Sequence, residues 1–308
     1  MATWGTLWRN AGEWRENTVV AHAKLAAMSC RFSALCLLFV WVAARPLDMC
    51  AQHPDEVAVV TFNIRYDNPD DPVVWDVRKE TVVGSVSYFD ILGFQEALAH
   101  QQDFLVASLP EHDHYGVGRD DGARRGEHCP LFWRRDRFDL LHAETLWLSE
   151  TPQVPGSIGW DAELPRIATV VLLHDRQTEQ VFRVINTHFS HIGKEAQQTA
   201  AQMLSARFSE SQAEVNLLLG DFNVAPQSVP FGVLTSGRME DAYTAADKRC
   251  RSGQGTYTGF PTSGLRGAPR IDHIFVDGGD VLWYCLEERI LEGYYMSDHL
   301  PVYIALKP

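Results

Sequence analysis

Short runs of apolar residues, rich in valine, isoleucine, leucine and phenylalanine, recur along the chain and are bounded by polar or turn-forming residues. Runs of this length and composition are typical of β-strands buried in a core. The pattern predicts strands at VAVVTFNI (57–64), ILGFQE (91–96), CPLFWR (129–134), FDLLHAETLWLS (138–149), RIATVVLLH (166–174), QVFRVINTH (180–188), VNLLLGDFN (215–223), RIDHIFV (270–276), VLWYCLEERIL (281–291) and PVYIALK (301–307).

Three segments between these strands have helical spacing of their apolar residues: 77–90, 98–110 and 194–210. No linker divides the chain, and the part between 224 and about 268 has no clear pattern. Two sheets packed face to face, with helices on the outside, would bury this many apolar strands. We therefore predict one mixed α/β domain from about residue 54 to the end of the chain.

A 13-residue apolar run, FSALCLLFVWVAA (32–44), lies near the N-terminus between two arginines. A membrane-spanning helix needs about 20 apolar residues, so the run favours a signal peptide cleaved after Ala44 or near Ala51. A membrane anchor or a buried helix is the alternative. We assign residues 1–51 to a leader and residues 52–308 to a secreted or periplasmic domain, and we expect that domain to be active without the leader.

The predicted domain is acidic. The leader holds 5 of the 27 basic and 3 of the 40 acidic residues, which leaves 22 and 37 and a formal charge of −15. A body of this charge repels phosphate backbones unless a local basic surface or a metal offsets it. Three cysteines remain, Cys129, Cys250 and Cys285, an odd number without CxxC spacing. The sequence therefore predicts neither a disulfide framework nor a zinc ribbon.

Several polar residues, all of them Asn, Asp, Glu or His, lie at or beside the predicted strands. They are Asn63, Glu96, His188, Asp221 with Asn223, Asp272 with His273, and Asp298 with His299. Each alone has a structural explanation, because Asn and Asp also form turns where strands end. Their repetition at six places favours a site, since polar groups at the same end of several strands converge in space.

The residue types indicate the chemistry of this site. Carboxylate and amide oxygens suit Mg²⁺, Mn²⁺ or Ca²⁺. Two carboxylates about 4 Å apart repel by about 4 kcal/mol at an effective dielectric constant of 20, so a cation is expected between them. A histidine beside a carboxylate can give a proton to an oxygen. Metal, histidine and aspartate together indicate hydrolysis of a phosphate ester.

The motifs TFNIR, GFQE, GE followed by PLFWR, NTH, GDFN, RIDHIFV and SDHLPV occur in this order between residues 57 and 304. As a set they resemble the endonuclease/exonuclease/phosphatase (DNase I-like) superfamily, which includes AP endonucleases, neutral sphingomyelinases and inositol-polyphosphate 5-phosphatases. The resemblance implies a four-layered α/β/β/α sandwich of two mixed sheets flanked by helices. It also implies a phosphoesterase that depends on Mg²⁺ or Mn²⁺.

The same resemblance assigns roles to individual residues. It implies that Asn63, Glu96 and Asp298 hold or adjoin the metal. It implies that Asp221 activates or orients the attacking water and that Asn223 binds the scissile phosphate.

The resemblance further implies that His188 and His299 bind phosphate and act as the acid, with Glu127 orienting His188 and Asp272 orienting His299. Arg65 stands where AP endonucleases carry an acidic residue, which argues against that activity. Its side chain either contacts phosphate or forms a surface salt bridge.

Several other residues give weaker signals of function, and most of them have both a functional and a structural explanation. The arginines of GRDDGARRGEH (118–128) form either a phosphate clamp or a mobile charged loop. His191 lies near the predicted site, and Tyr257 and Phe260 either stack a base or sugar or pack in the core.

The sequence thus predicts a metal-dependent hydrolase that uses water to cleave a phosphodiester or phosphomonoester. One alternative is a nuclease acting on DNA or RNA, and another is a binding protein that keeps the fold without catalysis. The presence of Glu96, Asp221 and His299 disfavours the last alternative. We expect a monomer whose substrate is a small molecule or a nucleic acid, with no stable membrane association once the leader is removed.

Overall fold

The computed structural model describes residues 55–209, 211–251, 253, 255–263 and 268–308. The leader predicted for residues 1–51 lies outside this range, so it stays a prediction. Within the described part of the chain, no helix has the length and apolar character needed to cross a membrane.

The described residues form fifteen strands and five helices. The strands are β1 (Val57–Asn63), β2 (Ile91–Gln95), β3 (His112–Tyr115), β4 (Leu131–Arg134), β5 (Phe138–Trp147), β6 (Ile167–Asp175), β7 (Val181–His188), β8 (Val215–Asp221), β9 (Glu240–Asp241), β10 (Lys248–Cys250), β11 (Asp272–Asp277), β12 (Asp280–Leu286), β13 (Ile290–Leu291), β14 (Tyr294–Tyr295) and β15 (Val302–Lys307). The helices are α1 (Trp75–Val86), α2 (Ala99–Ser108), α3 (Lys194–Ser209), α4 (Val229–Leu234) and α5 (Ala242–Ala245).

Most of these strands form two mixed sheets. The first sheet has seven strands in the order β10-β12-β15-β1-β2-β4-β3, and the second has six in the order β5-β6-β7-β8-β11-β9. At the centre of the first sheet β1 is parallel to β2 and antiparallel to β15. In the second sheet β8 is parallel to β7 and antiparallel to β11. The short strands β13 and β14 pair only with each other.

Each central strand is buried on both faces. Val59 of β1 and Leu217 of β8 lie in the apolar layer between the two sheets. Val60, on the opposite face of β1, packs in a cluster with residues of α1 and α2, and Leu218 of β8 packs in a cluster with residues of α3. Burial on both faces explains why these strands read as continuous apolar runs. The order helix, sheet, sheet, helix confirms the predicted four-layered sandwich.

The two sheets approach closely where β2 faces the second sheet. A Cβ atom at Gly93 would lie 2.0 Å from Cδ1 of Leu219, so a side chain there would displace the facing strand. Beside this contact, the amide of buried Asn186 donates to the carbonyl oxygen of Pro130 (2.9 Å) and accepts from Nε2 of Gln95 (2.6 Å). Tight packing and a buried hydrogen-bonded link therefore fix the sheets relative to each other.

Two sequence predictions need correction. The strand predicted over 281–291 ends at Leu286, which pairs with Val302 at the start of β15. The N–H of Glu287 still donates to the carbonyl oxygen of Pro301 (3.0 Å), but a proline has no N–H with which to continue the ladder. The cysteines were also misjudged, since Cys250 and Cys285 form a disulfide between register partners on β10 and β12. Spacing could not reveal this pair, because adjacent strands brought the two residues together.

Candidate active site

Strand ends of the first sheet carry one half of the predicted site. The parallel strands β1 and β2 end at the same edge, which places Asn63 beside Glu96, the residue that follows β2. Strand β15 runs antiparallel to β1 and therefore begins at this edge, just after Asp298 and His299. The topology thus gathers four residues that are far apart in sequence.

Strand ends of the second sheet carry the other half. The parallel strands β7 and β8 end with His188 opposite Asp221, and Asn223 follows two residues later. The antiparallel strand β11 begins with Asp272, which is also opposite Asp221. Asp221 therefore lies between the strand that ends with His188 and the strand that begins with Asp272, and its side chain is buried.

Asn63 joins the two halves through its side-chain amide. Its Nδ2 donates to Oε1 of Glu96 and to Oδ2 of Asp221, both at 3.0 Å. Its Oδ1 accepts from the backbone N–H of Arg65 (3.0 Å). The second oxygen of Glu96 accepts from the backbone N–H of Tyr66 (3.1 Å). A single neutral amide therefore bridges two carboxylates that would otherwise repel.

Three residues at this edge have left-handed backbone conformations: Arg65 (φ 60°), Glu96 (φ 63°) and Asn223 (φ 52°). Such conformations cost about 1–3 kcal/mol each for residues other than glycine, and they persist only where the surroundings enforce them. Both Glu96 and Asn223 leave a strand and turn their side chains into the site through this conformation. The strain is part of how the site is built.

A buried arginine holds the loop that follows β1. Arg78 of α1 is fully buried and donates to the carbonyl oxygens of Ile64, Arg65 (2.7 Å) and Tyr66 (3.3 Å). Gln101 of α2 also donates to the carbonyl oxygen of Arg65 (3.0 Å). These contacts fix the loop whose backbone N–H groups bind Asn63 and Glu96.

His299 lies between two carboxylates. Its Nδ1 is 2.8 Å from Oδ2 of Asp272, and its Nε2 is 3.6 Å from Oδ2 of Asp221. Burial alone would lower the pKa of His299, but Asp272 and Asp221 together raise it well above 6.5. His299 is therefore a protonated imidazole at neutral pH, and Asp272 holds it in place.

Burial raises the pKa of Asp221 to about 7, with neighbouring Asp272 adding to this effect and His299 opposing it. A carboxylate with a pKa close to neutral pH exchanges protons readily with bound water. Asp221 therefore has the property of a general base, and His299, beside it, has the property of an acid.

His188 is neutral. Burial lowers its pKa well below 6.5, and the positive charges of Arg166 and Arg119 lower it further. Its Nε2 lies 3.1 Å from Nδ2 of Asn223 and 3.4 Å from Oδ2 of Asp221. The structure brings Asn223 and His188 side by side, and their roles toward a substrate stay predictions.

Glu127 reaches the site but bonds to another partner. Its Oε2 accepts from Nη1 of Arg119 (2.6 Å) and lies 3.9 Å from Nδ1 of His188, which is beyond hydrogen-bond distance. Burial raises the pKa of Glu127, and nearby Glu96 raises it further. An orienting role of Glu127 toward His188 stays a prediction, and any such effect acts without a direct hydrogen bond here.

Arg65 lies at the rim with partners of its own. Its Nη2 is 3.2 Å from Oδ1 of Asp71, and its Nη1 is 3.8 Å from Oδ2 of Asp298. Burial raises the pKa of Asp298, and His299 counteracts part of that rise. The salt bridge with Asp71 is the structural explanation that the sequence left open, although Arg65 still faces the cleft.

These side chains open into a cleft of about 510 Å³. Its wall also contains Tyr66, Leu164, Arg166, His191 and Tyr257. The sequence singled out only His191 and Tyr257 of these. Arg166 could have been found, because it directly precedes β6, and β6 runs antiparallel to the strand that ends at His188.

Other predicted candidates lie outside the cleft. His273 faces the opposite side of β11 from Asp272, where its Nε2 is 2.9 Å from the carbonyl oxygen of Val224. Phe260 is buried. Arg124 pairs with Asp103 (2.6 Å), and Arg125 pairs with Asp121 (3.1 Å), both on the surface. Of the three arginines for which the sequence left a phosphate clamp or a mobile loop open, only Arg119 lies beside the site, where it pairs with Glu127.

The donor set fits a hard divalent cation. Glu96, His188 and Asp221 each offer one ligand atom, and these atoms lie within 4.8 Å of one another. Among the residues that the structure describes, no cationic side chain lies within 4.0 Å of Glu96. The two carboxylates of this set suit Mg²⁺ or Mn²⁺. Asn63 presents its nitrogen to this cluster, so its coordination of a metal through oxygen stays a prediction.

The chain is similar to a known family over most of its described length. A model of the Endonuclease/Exonuclease/phosphatase family matches residues 60–299. The CCR4-Not complex 3'-5'-exoribonuclease subunit Ccr4 of Emericella nidulans is 22% identical over 272 residues, which cover 66% of this chain. The chain spans less than half the length of the curated relatives it matches, 40% in this case.

Solved structures agree with this family match. A mannosyl-6-phosphatase of Bacteroides thetaiotaomicron is 35% identical, with a TM-score of 0.75 over 81% of this chain and 99% of that one. An endonuclease/exonuclease/phosphatase family protein of the same organism is 34% identical, with a TM-score of 0.76 over 82% of this chain and 97% of that one.

Proposed function

Because this chain belongs to the endonuclease/exonuclease/phosphatase family, we propose that it is a divalent-metal-dependent phosphatase of a small phosphomonoester. Members of the family include phosphatases and nucleases, and the chain is a hydrolase of phosphoric esters. Membership of the family does not specify the substrate class or the identity of the metal, and these two points are what we propose.

One arrangement carries this proposal. His299 lies between Asp272 and Asp221; all three are buried, and His299 and Asp221 line a cleft that is open to solvent. It places an acid and a base within 3.6 Å of each other, next to a cluster of carboxylates. Hydrolysis needs this combination, because one group must take a proton from water while another gives a proton to the leaving oxygen.

The residues of the chain divide the work accordingly. Asp221 takes a proton from the attacking water, and its pKa near 7 allows this at neutral pH. His299 gives its Nε2 proton to the departing oxygen while Asp272 holds the ring. His188 and Asn223 bind the phosphoryl oxygens. A divalent cation held by Glu96 and Asp298, which both line the cleft, would offset the negative charge of the phosphoryl group.

Two observations favour a small phosphomonoester. The mannosyl-6-phosphatase is more similar to this chain than the exoribonuclease is, and almost all of that protein is covered. Arg65 and Arg119 are engaged with Asp71 and Glu127, and Arg166 is the one described arginine of the cleft without a carboxylate partner, so the described rim offers no long basic track for a nucleic acid. Nuclease activity is the alternative, and similarity to the exoribonuclease subunit supports it.

Metal removal and substitution of Glu96 test the proposal. The full chain should hydrolyse p-nitrophenyl phosphate or a sugar 6-phosphate after addition of Mg²⁺ or Mn²⁺, and a chelator should abolish the turnover. Glu96→Gln should lower kcat/KM by about 100-fold, because it removes one charge from the proposed metal site. The matched control is Glu80→Gln on the exposed face of α1, which should keep full activity.

The substrate panel separates the alternatives. It should include bis-p-nitrophenyl phosphate and a single-stranded RNA beside the monoesters. Faster metal-dependent cleavage of RNA than of any monoester would favour the nuclease. A folded protein that binds metal but hydrolyses none of these substrates would contradict the proposal.

We also propose that the protein is exported and works in an oxidising compartment. The apolar run at 32–44 supports export, and the disulfide between Cys250 and Cys285 suits an oxidising environment. Buried Cys129 does not compete for this pairing, and burial raises its pKa to about 12, so its thiol stays protonated.

Export makes a measurable prediction. When the full chain is expressed in cells with a secretion pathway, the mature protein should lack a leader of about 44–51 residues, and mass spectrometry should find the disulfide intact. Removing residues 1–51 should leave kcat/KM unchanged. A full-length protein that stays in the cytosol with Cys250 and Cys285 reduced would contradict export.

A further inference from the structure

Arg166 is a buried cation that faces the cleft without a carboxylate partner. The residue is 6% exposed and lines the cleft wall. Its Nη2 lies 3.1 Å from Nδ1 of His191. Its Nε and Nη1 are buried and have no hydrogen-bond partner among the described residues. No carboxylate in the described part of the chain lies within 4.0 Å of the guanidinium.

Among the described residues, the other buried arginines each leave at most one nitrogen without a partner, Nε in Arg78 and in Arg119. Arg119 pairs with Glu127, and Arg137 pairs with Asp175. Arg78 has no carboxylate partner, but it donates to three backbone carbonyl oxygens. Arg166 differs from all three, because two of its nitrogens are directed to neither a carboxylate nor a carbonyl oxygen.

Such a group is costly unless something binds it. A buried charge without a partner destabilises a protein by several kcal/mol. A guanidinium keeps its charge and its five N–H donors at any physiological pH, and phosphate oxygens match these donors well. An anionic ligand in the cleft would satisfy Arg166, and the cleft is where the proposed function places the phosphate.

We propose that Arg166, positioned by His191, binds the phosphoryl oxygens of the substrate and thereby makes the enzyme select phosphomonoesters over phosphodiesters; this rests on the proposed function. A monoester phosphate has three terminal oxygens and a charge of about −1.5 to −2 at pH 7, because its second pKa is near 6. A diester has two such oxygens and a single charge. An additional buried cation with free donors therefore favours the monoester.

The test compares two substrates of matched leaving group, p-nitrophenyl phosphate and bis-p-nitrophenyl phosphate, using the full chain with Mg²⁺. Arg166→Met should lower the ratio of kcat/KM for the monoester to kcat/KM for the diester by about 10- to 100-fold, the effect of losing hydrogen bonds to a charged group. Arg166→Lys should keep part of the preference. The matched control, exposed Arg124→Met, should leave the ratio unchanged.

A binding readout complements the kinetics. Inorganic phosphate should inhibit the wild-type protein at least about 10-fold more strongly than dimethyl phosphate, and Arg166→Met should remove this difference. The wild-type comparison needs no variant, so it can refute the inference even if Arg166→Met does not fold.

The outcomes separate this inference from the proposed function. If the wild-type protein hydrolyses both esters and Arg166→Met lowers kcat/KM for both to the same extent, Arg166 does not select the monoester. The proposed hydrolase function would be unaffected by that result. Equal inhibition of the wild type by phosphate and dimethyl phosphate would overturn the inference as well. Absence of metal-dependent hydrolysis in the wild type would instead refute the proposed function itself.

Discussion

Asp221→Asn should lower kcat by about 1,000-fold or more and at the same time make the metal-free protein more stable. The loss of activity follows because Asp221 is the proposed base and contacts Asn63, His188 and His299. The gain in stability follows because burial disfavours the charged carboxylate and raises its pKa from 3.8 to about 7. Asparagine keeps the shape of the side chain without the buried charge.

The stability gain should depend on pH. Between pH 3.8 and about 7 the folded protein holds a proton that the unfolded chain has released, so the cost of Asp221 grows as the pH rises through this window. Urea denaturation in a chelator should therefore show Asp221→Asn to be more stable by about 4 kcal/mol at pH 8, with the difference vanishing near pH 4.

A surface aspartate provides the comparison for this variant. Asp136 pairs with Arg134, and its side chain is 63% exposed. Asp136→Asn should leave kcat unchanged, and it should change the free energy of unfolding by no more than about 0.5 kcal/mol. An Asp221→Asn protein that retains a tenth of the activity would show that another group is the base. A variant that is less stable at pH 8 would show that the carboxylate is compensated in the folded protein.

Asp272→Asn and His299→Asn should each lower kcat by about 100-fold or more, and combining them should cost little beyond the larger single effect. The reason is their hydrogen bond of 2.8 Å, since the main contact of Asp272 in the site is with the ring of His299. Once the ring is absent, the carboxylate keeps only its electrostatic effect on Asp221.

The four proteins of this double-mutant cycle should be compared by kcat at saturating substrate, with circular dichroism to verify folding. For comparison, His299→Asn combined with the remote Asp136→Asn should give effects that add. Additive losses in the Asp272 and His299 pair would mean that the two residues act independently, which would refute the positioning role of Asp272.

The layered fold could be predicted because strands buried between layers must be apolar, and runs of apolar residues are visible in the sequence. Strands such as β1 and β8 are buried on both faces, so their residues are apolar without interruption. Asn63 and Asp221 interrupt that pattern where the strands end, and polar breaks of this kind could be read directly. Parallel and antiparallel pairing then brought the breaks together, as the family resemblance implied.

Features that depend on tertiary contacts could not be predicted. The short strands β9, β10 and β14 have two or three residues and exist only because a neighbouring strand pairs with them. Nothing in the sequence indicates that Arg119 and not His188 forms the direct hydrogen bond with Glu127. The unsatisfied donors of Arg166 became visible only when its surroundings were known.

The division of the site between two sheets makes activity depend on the docking of the two sheets. Asn63 and His299 come from the first sheet, and their partners Asp221 and Asp272 come from the second. If only the first sheet has formed, the acid His299 lacks its positioning carboxylate, Asp272. If only the second sheet has formed, the base Asp221 lacks the amide of Asn63, which bridges it to Glu96. Newly made protein therefore stays inert until the sheets dock, and turnover begins only when the core is complete.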